Sequence, residues 1–274
     1  MPAWVYLFAA AAPLMMAAGY DAEILAWRAQ RESNLKSDTG WLTVAGLFWL
    51  KEGSNPFGSA ATNDIVLPAG PAHAGVFELR GDHITGTLSG QPARALKPDS
   101  EEPADVLRIQ DLTMFVIKRG ERYGIRLRDK NSSYRRDFSG LHWYPVKPAA
   151  RVQARWVANS EKIVIPNILG QKEEETSPGY AVFSWGGHEH RLYPTEEDGK
   201  LFFVFRDLTA GKETYPAGRF LYADMPRDGR VLLDFNKAYN PPCAFTAYAT
   251  CPLPPPSNRL NVRIEAGELR YGSH

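Results

Sequence analysis

The segment DFNKAYNPPCAFTAYATCPLPPPSNRL, from Asp234 to Leu260, concentrates side chains suited to holding or acting on a polar molecule. It contains six prolines, four aromatic residues (Phe235, Tyr239, Phe245, Tyr248) and three asparagines (Asn236, Asn240, Asn258). Proline fixes φ and restrains the residue before it, so the stretch is predicted to be ordered without regular backbone hydrogen bonding. Its backbone groups then need other partners, and two outcomes stay open. Asn amides and Tyr hydroxyls can bond the loop's own backbone. Alternatively, aromatic faces and polar groups wall a rigid pocket for a polar small molecule.

In the pocket reading Arg219, Asp234, Asn236, Tyr239 and Asn240 hold the ligand, with Tyr248 and Asn258 in the same loop. A hydrolase is the alternative: Asp207, Asp234 or Glu268 would act as acid or base, and Arg219 would stabilise an anion. That chemistry requires two such groups to converge. In a third reading the same residues form a polar core network with a purely structural role.

Cys243 and Cys251 are the only cysteines. In an oxidising compartment a disulfide between them would contribute about 2.6 kcal/mol by loop entropy; buried thiols, or a metal or catalytic role, are the alternatives. His188 and His190 stand at i and i+2 on a predicted strand and could share a metal. Zinc needs further ligands, and no nearby His or Cys completes a recognised spacing. A partly exposed hairpin tip is the favoured reading of the pair, and no metal site is assigned. The chain has no G-x-S-x-G elbow and no P-loop. Ser33 and Lys36 spell S-x-x-K without its companion motifs. The acidic runs Glu173 to Glu175 and Glu196 to Asp198 read as solvated loops.

These residues must be positioned by a largely β framework. The 274 residues are 44% hydrophobic and 23% charged, with net charge +1, which describes an ordered globule without a field to recruit nucleic acid. No segment after the first nineteen residues approaches the run of about 18 apolar residues that a spanning helix needs. The first nineteen, MPAWVYLFAAAAPLMMAAG, form an apolar leader ending in a small-x-small site, predicting cleavage before Tyr20 and an exported protein, periplasmic or secreted. Residues 20–40 supply an amphipathic helix and linker, with Ile24, Leu25, Trp27 and Leu35 on its apolar side. WLTVAGLFWL, Trp41 to Leu50, fits strand or buried helix.

Thereafter short apolar or alternating runs broken by Gly, Pro, Asn and Asp predict strands. The clearest is a hairpin of Tyr180 to Trp185 and His188 to Tyr193 about Gly186-Gly187, pairing Phe183 with His190. A second joins Leu112 to Lys118 with Arg122 to Arg128. Leu201 to Arg206, apolar on both faces, is predicted to be central, and Gly170 to Gly179 is read as an acidic loop. The expectation is an all-β fold of mostly antiparallel, sandwich- or barrel-like sheets with a short N-terminal helix. Two lobes are drawn at 41–148 and 149–274.

LFFVFRDLTAGKETYPAGRFL, then VLLDFNKAYNPPCAFTAYATCPLPPPSNRL and IEAGE, resemble a bacterial and archaeal family known only as a domain of unknown function. WLTVAGLFWL, LRDKNSSYRRDFSGLHWYPV and SPGYAVF extend the resemblance over most of Trp41 to Tyr271. Its motif positions fall on Asp207, Thr209, Gly211, Thr214, Tyr215, Gly218, Arg219, Asp234, Asn236, Tyr239, Asn240, Cys243, Tyr248, Cys251, Asn258 and Glu268. The resemblance implies no reaction, cofactor or catalytic residue, and His188 and His190 lie outside it. FGSAATNDIVLPAGPAHAGVFEL resembles the core of a forkhead-associated domain, a β-sandwich. Ser59 stands in place of that family's Arg, and Gly70-Pro71 in place of its phosphate-binding Ser, so the likeness extends to the sandwich alone.

Overall fold

A computed structural model describes residues 11–101 and 103–272. Most of the predicted leader therefore lies outside the described residues. Helix α1 runs Ala11–Lys36, starting before the predicted Tyr20. Tyr20 and Ile24 are buried on one face and Trp27, Arg28 and Arg31 are half-buried, whereas Leu25 is 59% exposed. No helix among the described residues is long and apolar enough to cross a membrane.

The chain divides into two compact units. One comprises Leu35–Phe138 with Thr246–Ala249. Its strands are β1 (Val44–Trp49), β2 (Gly53–Gly58), β3 (Ile65–Val66), β4 (Gly75–Arg80), β5 (His83–Leu88), β6 (Arg94–Ala95), β7 (Val106–Ile109), β8 (Leu112–Arg119) and β9 (Arg122–Asp129). They form two sheets, ordered β1-β9-β8-β7 and β3-β2-β4-β5-β6. Phe57, Phe77 and Ile84 of the second sheet share a core with Met114, Val116 and Ile125 of the first. WLTVAGLFWL resolves into a 3-10 turn followed by β1. The forkhead-like stretch, Phe57 to Leu79, holds the end of β2, β3 and most of β4. In β9, Tyr123, Ile125 and Leu127 enter the core as the alternation predicts. Arg126 on the opposite face is also buried, its guanidinium 5.1 Å from the Trp41 ring.

The other unit comprises the chain up to Asn34, Ser139–Phe245 and Thr250–His274. Its strands are β10 (Arg151–Pro166), β11 (Lys172–Trp185), β12 (His188–Leu192), β13 (Thr195–Glu197), β14 (Lys200–Phe205), β15 (Arg219–Asp224) and β16 (Arg230–Asp234). The sheets are β12-β11-β10-β16 and β13-β14-β15. The Gly186-Gly187 turn has φ of +59° and +81°, values an L side chain adopts only with strain. It sets the predicted register, Phe183 opposite His190.

Three sequence expectations need correction. The Gly170 to Gly179 loop is mostly strand: Lys172 to Thr176 pair with Lys162 to Pro166, setting three β-branched-rich positions, Ile163 to Ile165, opposite three glutamates. Glutamate is a poor strand former alone, but the partner strand supplies the ladder. The two strands predicted at Arg151 to Val157 and Lys162 to Ile165 are one, β10, continuous across a register shift between Ala158 and Glu161. Glu196 and Glu197 likewise lie in β13, opposite β14.

β14 is central as predicted. Leu201, Phe203 and Phe205 face the core with Leu221, Phe235 and Ile264. From Phe235 to Leu260 the chain has only three short 3-10 turns and no ladder strand, the ordered but irregular course that its prolines dictate.

Candidate functional site

The polar residues of the signature are directed mainly at backbone. Arg219, 1% exposed, sits on β15 with its guanidinium 5.3 Å from the Phe205 ring. It donates to the carbonyls of Ile264 (2.9 Å) and Ala266 and meets Asp207 Oδ1 at 3.3 Å. Burial pulls the Arg219 pKa down, and the Asp207 carboxylate opposes this. Asp207 is itself engaged through both oxygens: Oδ2 accepts from the Ile264 amide at 2.6 Å and Oδ1 from Thr209 Oγ1 at 2.8 Å, which also meets Thr214 Oγ1. The family positions Asp207, Thr209, Thr214 and Arg219 thus fasten the 207–215 loop to the irregular 264–266 segment.

Asp234 ends β16, and Asn236 follows in a 3-10 turn. The Tyr20 hydroxyl donates to Asp234 Oδ1 at 2.8 Å and accepts from Asn236 Nδ2 at 2.9 Å. Asn236 also clasps the Lys147 backbone, Oδ1 accepting from its amide and Nδ2 donating to its carbonyl. Asn258 holds Tyr193 in the same two-sided way and donates to Val204 O. Tyr248 belongs to the Thr246–Ala249 stretch of the other unit.

Asn240 and Glu268 differ, because each keeps one acceptor atom unpaired. Glu268 is fully buried, fixed by its amide to Ala238 O at 2.8 Å. The preceding Gly267 has φ +83°, and a Cβ there would lie 2.5 Å from Ala238 O. Arg31 of α1 donates Nε to Glu268 Oε2 at 2.6 Å and Nη2 to Asn240 O at 2.9 Å. Asn240 Nδ2 donates to Leu269 O at 2.8 Å. Glu268 Oε1 and Asn240 Oδ1 are buried with no partner. Burial pushes the Glu268 carboxyl above the usual carboxylate range, against the pull of Arg31.

Of the three candidate acids, Asp207 and Glu268 thus pair with different arginines, and Asp234 with Tyr20. Cys243 and Cys251 lie side by side and are not joined by a disulfide. The Cys243 amide donates to Cys251 Sγ at 3.2 Å, and the Cys251 thiol holds the Cys243 thiol below its ordinary range against the effect of burial. His190 lies 3.2 Å from Trp185 O and beside Phe183, while His188 is exposed. Among the described residues no group of three His, Cys, Asp or Glu is arranged to hold a metal.

A second feature, which the sequence does not announce, is a row of aromatic rings. Phe202 and Tyr222 face each other across β14 and β15 on the side away from the core, stacked at 4.8 Å. Tyr222 stacks on Tyr239 at 6.3 Å, Tyr239 meets Trp27 at 6.5 Å, and Trp27 meets Trp143 edge-on at 5.6 Å. Tyr222 is 37% exposed and the other four are half-buried. The guanidinium of Arg31 lies 4.3 Å from the Tyr239 ring centre and that of Arg28 4.8 Å from Trp143. At the other end the Tyr222 hydroxyl donates to Glu197. The available signal was the apolar outer face of Leu201 to Arg206, which a solvent-facing strand edge would not require.

The fold and this polar set define an all-β domain whose signature residues brace irregular loops. Residues 136–269 match the model of a family described as protein of unknown function (DUF1684). The chain belongs to this uncharacterised family. The match takes in β10 to β16 and the whole 234–260 segment. Among solved structures, an uncharacterised protein of Haloarcula marismortui, determined in solution by NMR, is 33% identical with a TM-score of 0.41, the match covering 49% of this chain and 78% of that one. No curated protein matches.

Proposed function

We propose that the protein is a binding protein for a polar small molecule with a flat face, received on the aromatic row centred on Tyr239. The observation that carries this reading is the row itself: five contiguous rings on an outer face, one of them 37% exposed, flanked by two guanidiniums and a carboxylate. Aromatic planes offer sequence-independent stacking, and a few convergent polar groups fix orientation. Tyr239 and Asn240 come from the 234–260 segment, so it contributes to the site as a rigid support. The remaining signature residues, Arg219, Asp234, Asn236 and Asn258, serve the reading indirectly by holding that support in place. An acid–base hydrolase finds less support, because Asp207 and Asp234 already engage Arg219 and Tyr20.

The test is a titration of the protein with pyranose sugars and with nucleosides, which pair a flat face with hydroxyl groups, read at the indole N–H resonances of Trp27 and Trp143. A saturable shift of both resonances with one class is expected. Shifts confined to residues remote from the row would contradict the proposal.

The reading includes export. The α1 contacts described above begin at Tyr20, so cleavage before it would leave them on the mature chain. Amino-terminal sequencing of protein from the native host is expected to start at Tyr20, and a start at Met1 would overturn the export reading.

A further inference from the structure

We infer that Cys243 and Cys251 form a thiol–disulfide exchange site, with Cys243 as the thiol that meets an external disulfide and Cys251 as the thiol that resolves the adduct. The co-reactant is a disulfide carrier, which one cycle reduces to two thiols. The geometry is the starting point. Cys243 is half-buried and Cys251 only 4% exposed, and the Cys243 amide donates to Cys251 Sγ at 3.2 Å. Tyr215 completes the group from the 207–215 loop, its hydroxyl donating to Cys243 O at 3.0 Å.

The backbone around both sulfurs is held before any bond forms. The Ile168 amide donates to Cys251 O at 3.0 Å. Between the cysteines, Thr246 Oγ1 donates to Val44 O at 2.9 Å and accepts from the Tyr248 amide at 3.2 Å. The thiols thus meet in a loop fastened at both ends and in its middle. Of the two residues only Cys243 is partly open to solvent, which assigns it the first encounter. The attacking species is a thiolate, and the neighbours suit that role. The Cys251 thiol, and after it the Tyr215 phenol, hold the Cys243 thiol below its ordinary range against the effect of burial. Burial and then the Cys243 side chain push the Tyr215 phenol up, so it stays a donor.

In the first step the Cys243 thiolate attacks one sulfur of the carrier. A Cys243–carrier bond forms, the carrier's own S–S bond breaks, and the departing carrier thiolate takes up a proton. The Cys251 thiol then loses its proton and attacks Cys243 Sγ, forming the Cys243–Cys251 bond and releasing the second carrier thiol. Counting the proton Cys243 sheds on ionising, the pair gives up two electrons and two protons, and the carrier gains both. In reverse, an external thiolate attacks Cys243 Sγ and Cys251 leaves as a thiolate beside the Cys243 amide, whose N–H stabilises it. The amide and phenol bond a thiolate more strongly than a disulfide sulfur, so they favour the reduced pair and keep the bridge reducible. The inference stands independently of the ligand reading.

The test exposes folded wild type, C243S and C251S to oxidised glutathione and reads their intact masses. Wild type is expected to lose two hydrogens and carry no glutathione, C251S to retain one glutathione on Cys243, and C243S to stay unmodified. Transfer of the oxidised wild type to reduced glutathione, without denaturant, is expected to restore the two hydrogens. A bridge that reduced glutathione leaves intact would overturn exchange in favour of a structural disulfide. A wild type that stays reduced in oxidised glutathione would overturn it as well, and glutathione trapped on C243S in place of C251S would overturn the assigned roles. The wild-type cycle decides between exchange and a structural bridge even if a variant fails to fold.

Discussion

Arg219 and Asp207 decide how the signature is to be understood at the scale of single residues. The pair is buried, and the side-chain hydrogen bonds they make run to each other, to Thr209 or to the 264–266 backbone. Removing one partner of a buried pair strands the other charge, which typically costs about 3–5 kcal/mol. R219A and D207A are each expected to lose stability of that order in urea unfolding; a loss of only a few tenths of a kcal/mol would show the pair to be dispensable. Gly267 offers a backbone counterpart. Its φ of +83°, and the mere 2.5 Å that would separate a Cβ from Ala238 O, leave no room for a side chain. G267A is predicted to cost about 1–3 kcal/mol or more, and a neutral substitution, seen as an unchanged thermal midpoint, would contradict the geometry. The two thiols belong at this scale as well. With Cys243 and Cys251 already adjacent, oxidation by a disulfide carrier is expected to lower the mass of the intact protein by two hydrogens, and an unchanged mass after oxidation would count against the bridge.

Helix α1 is the element whose role the structure changes most. The sequence pattern presents it as an amphipathic helix docked by Ile24, Leu25, Trp27 and Leu35, of which the structure leaves Leu25 exposed. In the structure polar groups also fasten it: Tyr20 to Asp234, Lys237 to Glu23, Arg28 to Tyr144 O, Arg31 to Glu268 and Glu32 to the Leu141 amide. Arg31 reaches a carboxyl 237 positions away, and no local pattern could announce that pairing. Y20F removes the donor to Asp234 and is expected to cost about 0.5–1.5 kcal/mol. Amide exchange across α1 should quicken in Y20F while β14 stays protected; uniform acceleration in both would mean that the helix has no separate stability.

Over the whole molecule, the parts legible in the sequence are those written locally. A Gly-Gly turn between alternating strands fixed the 180–192 hairpin, and the alternation of β9 identified its core face. Proline density foretold the irregular course of 234–260. The acidic strand 172–176 was hidden because its pairing, and not its own residues, makes it a strand. The candidate polar residues were nearly all found by type, yet their partners were not: Asn258 serves Tyr193, 65 positions away, and Asn236 serves Lys147 at 89. The aromatic row was missed for the same reason, since its rings come from α1, β14, β15 and two loops.

We propose that the row receives the ligand, with the buried signature residues as its support. Tryptophan-fluorescence titration of wild type and Y222A with the sugar and nucleoside panel tests it most directly. One stacked ring contributes about 1–3 kcal/mol. Saturable binding by wild type is expected, with an affinity for Y222A weaker by about tenfold or more, a factor that corresponds to about 1.4 kcal/mol. Undiminished affinity in Y222A, or no saturable response to any member of the panel, would contradict it.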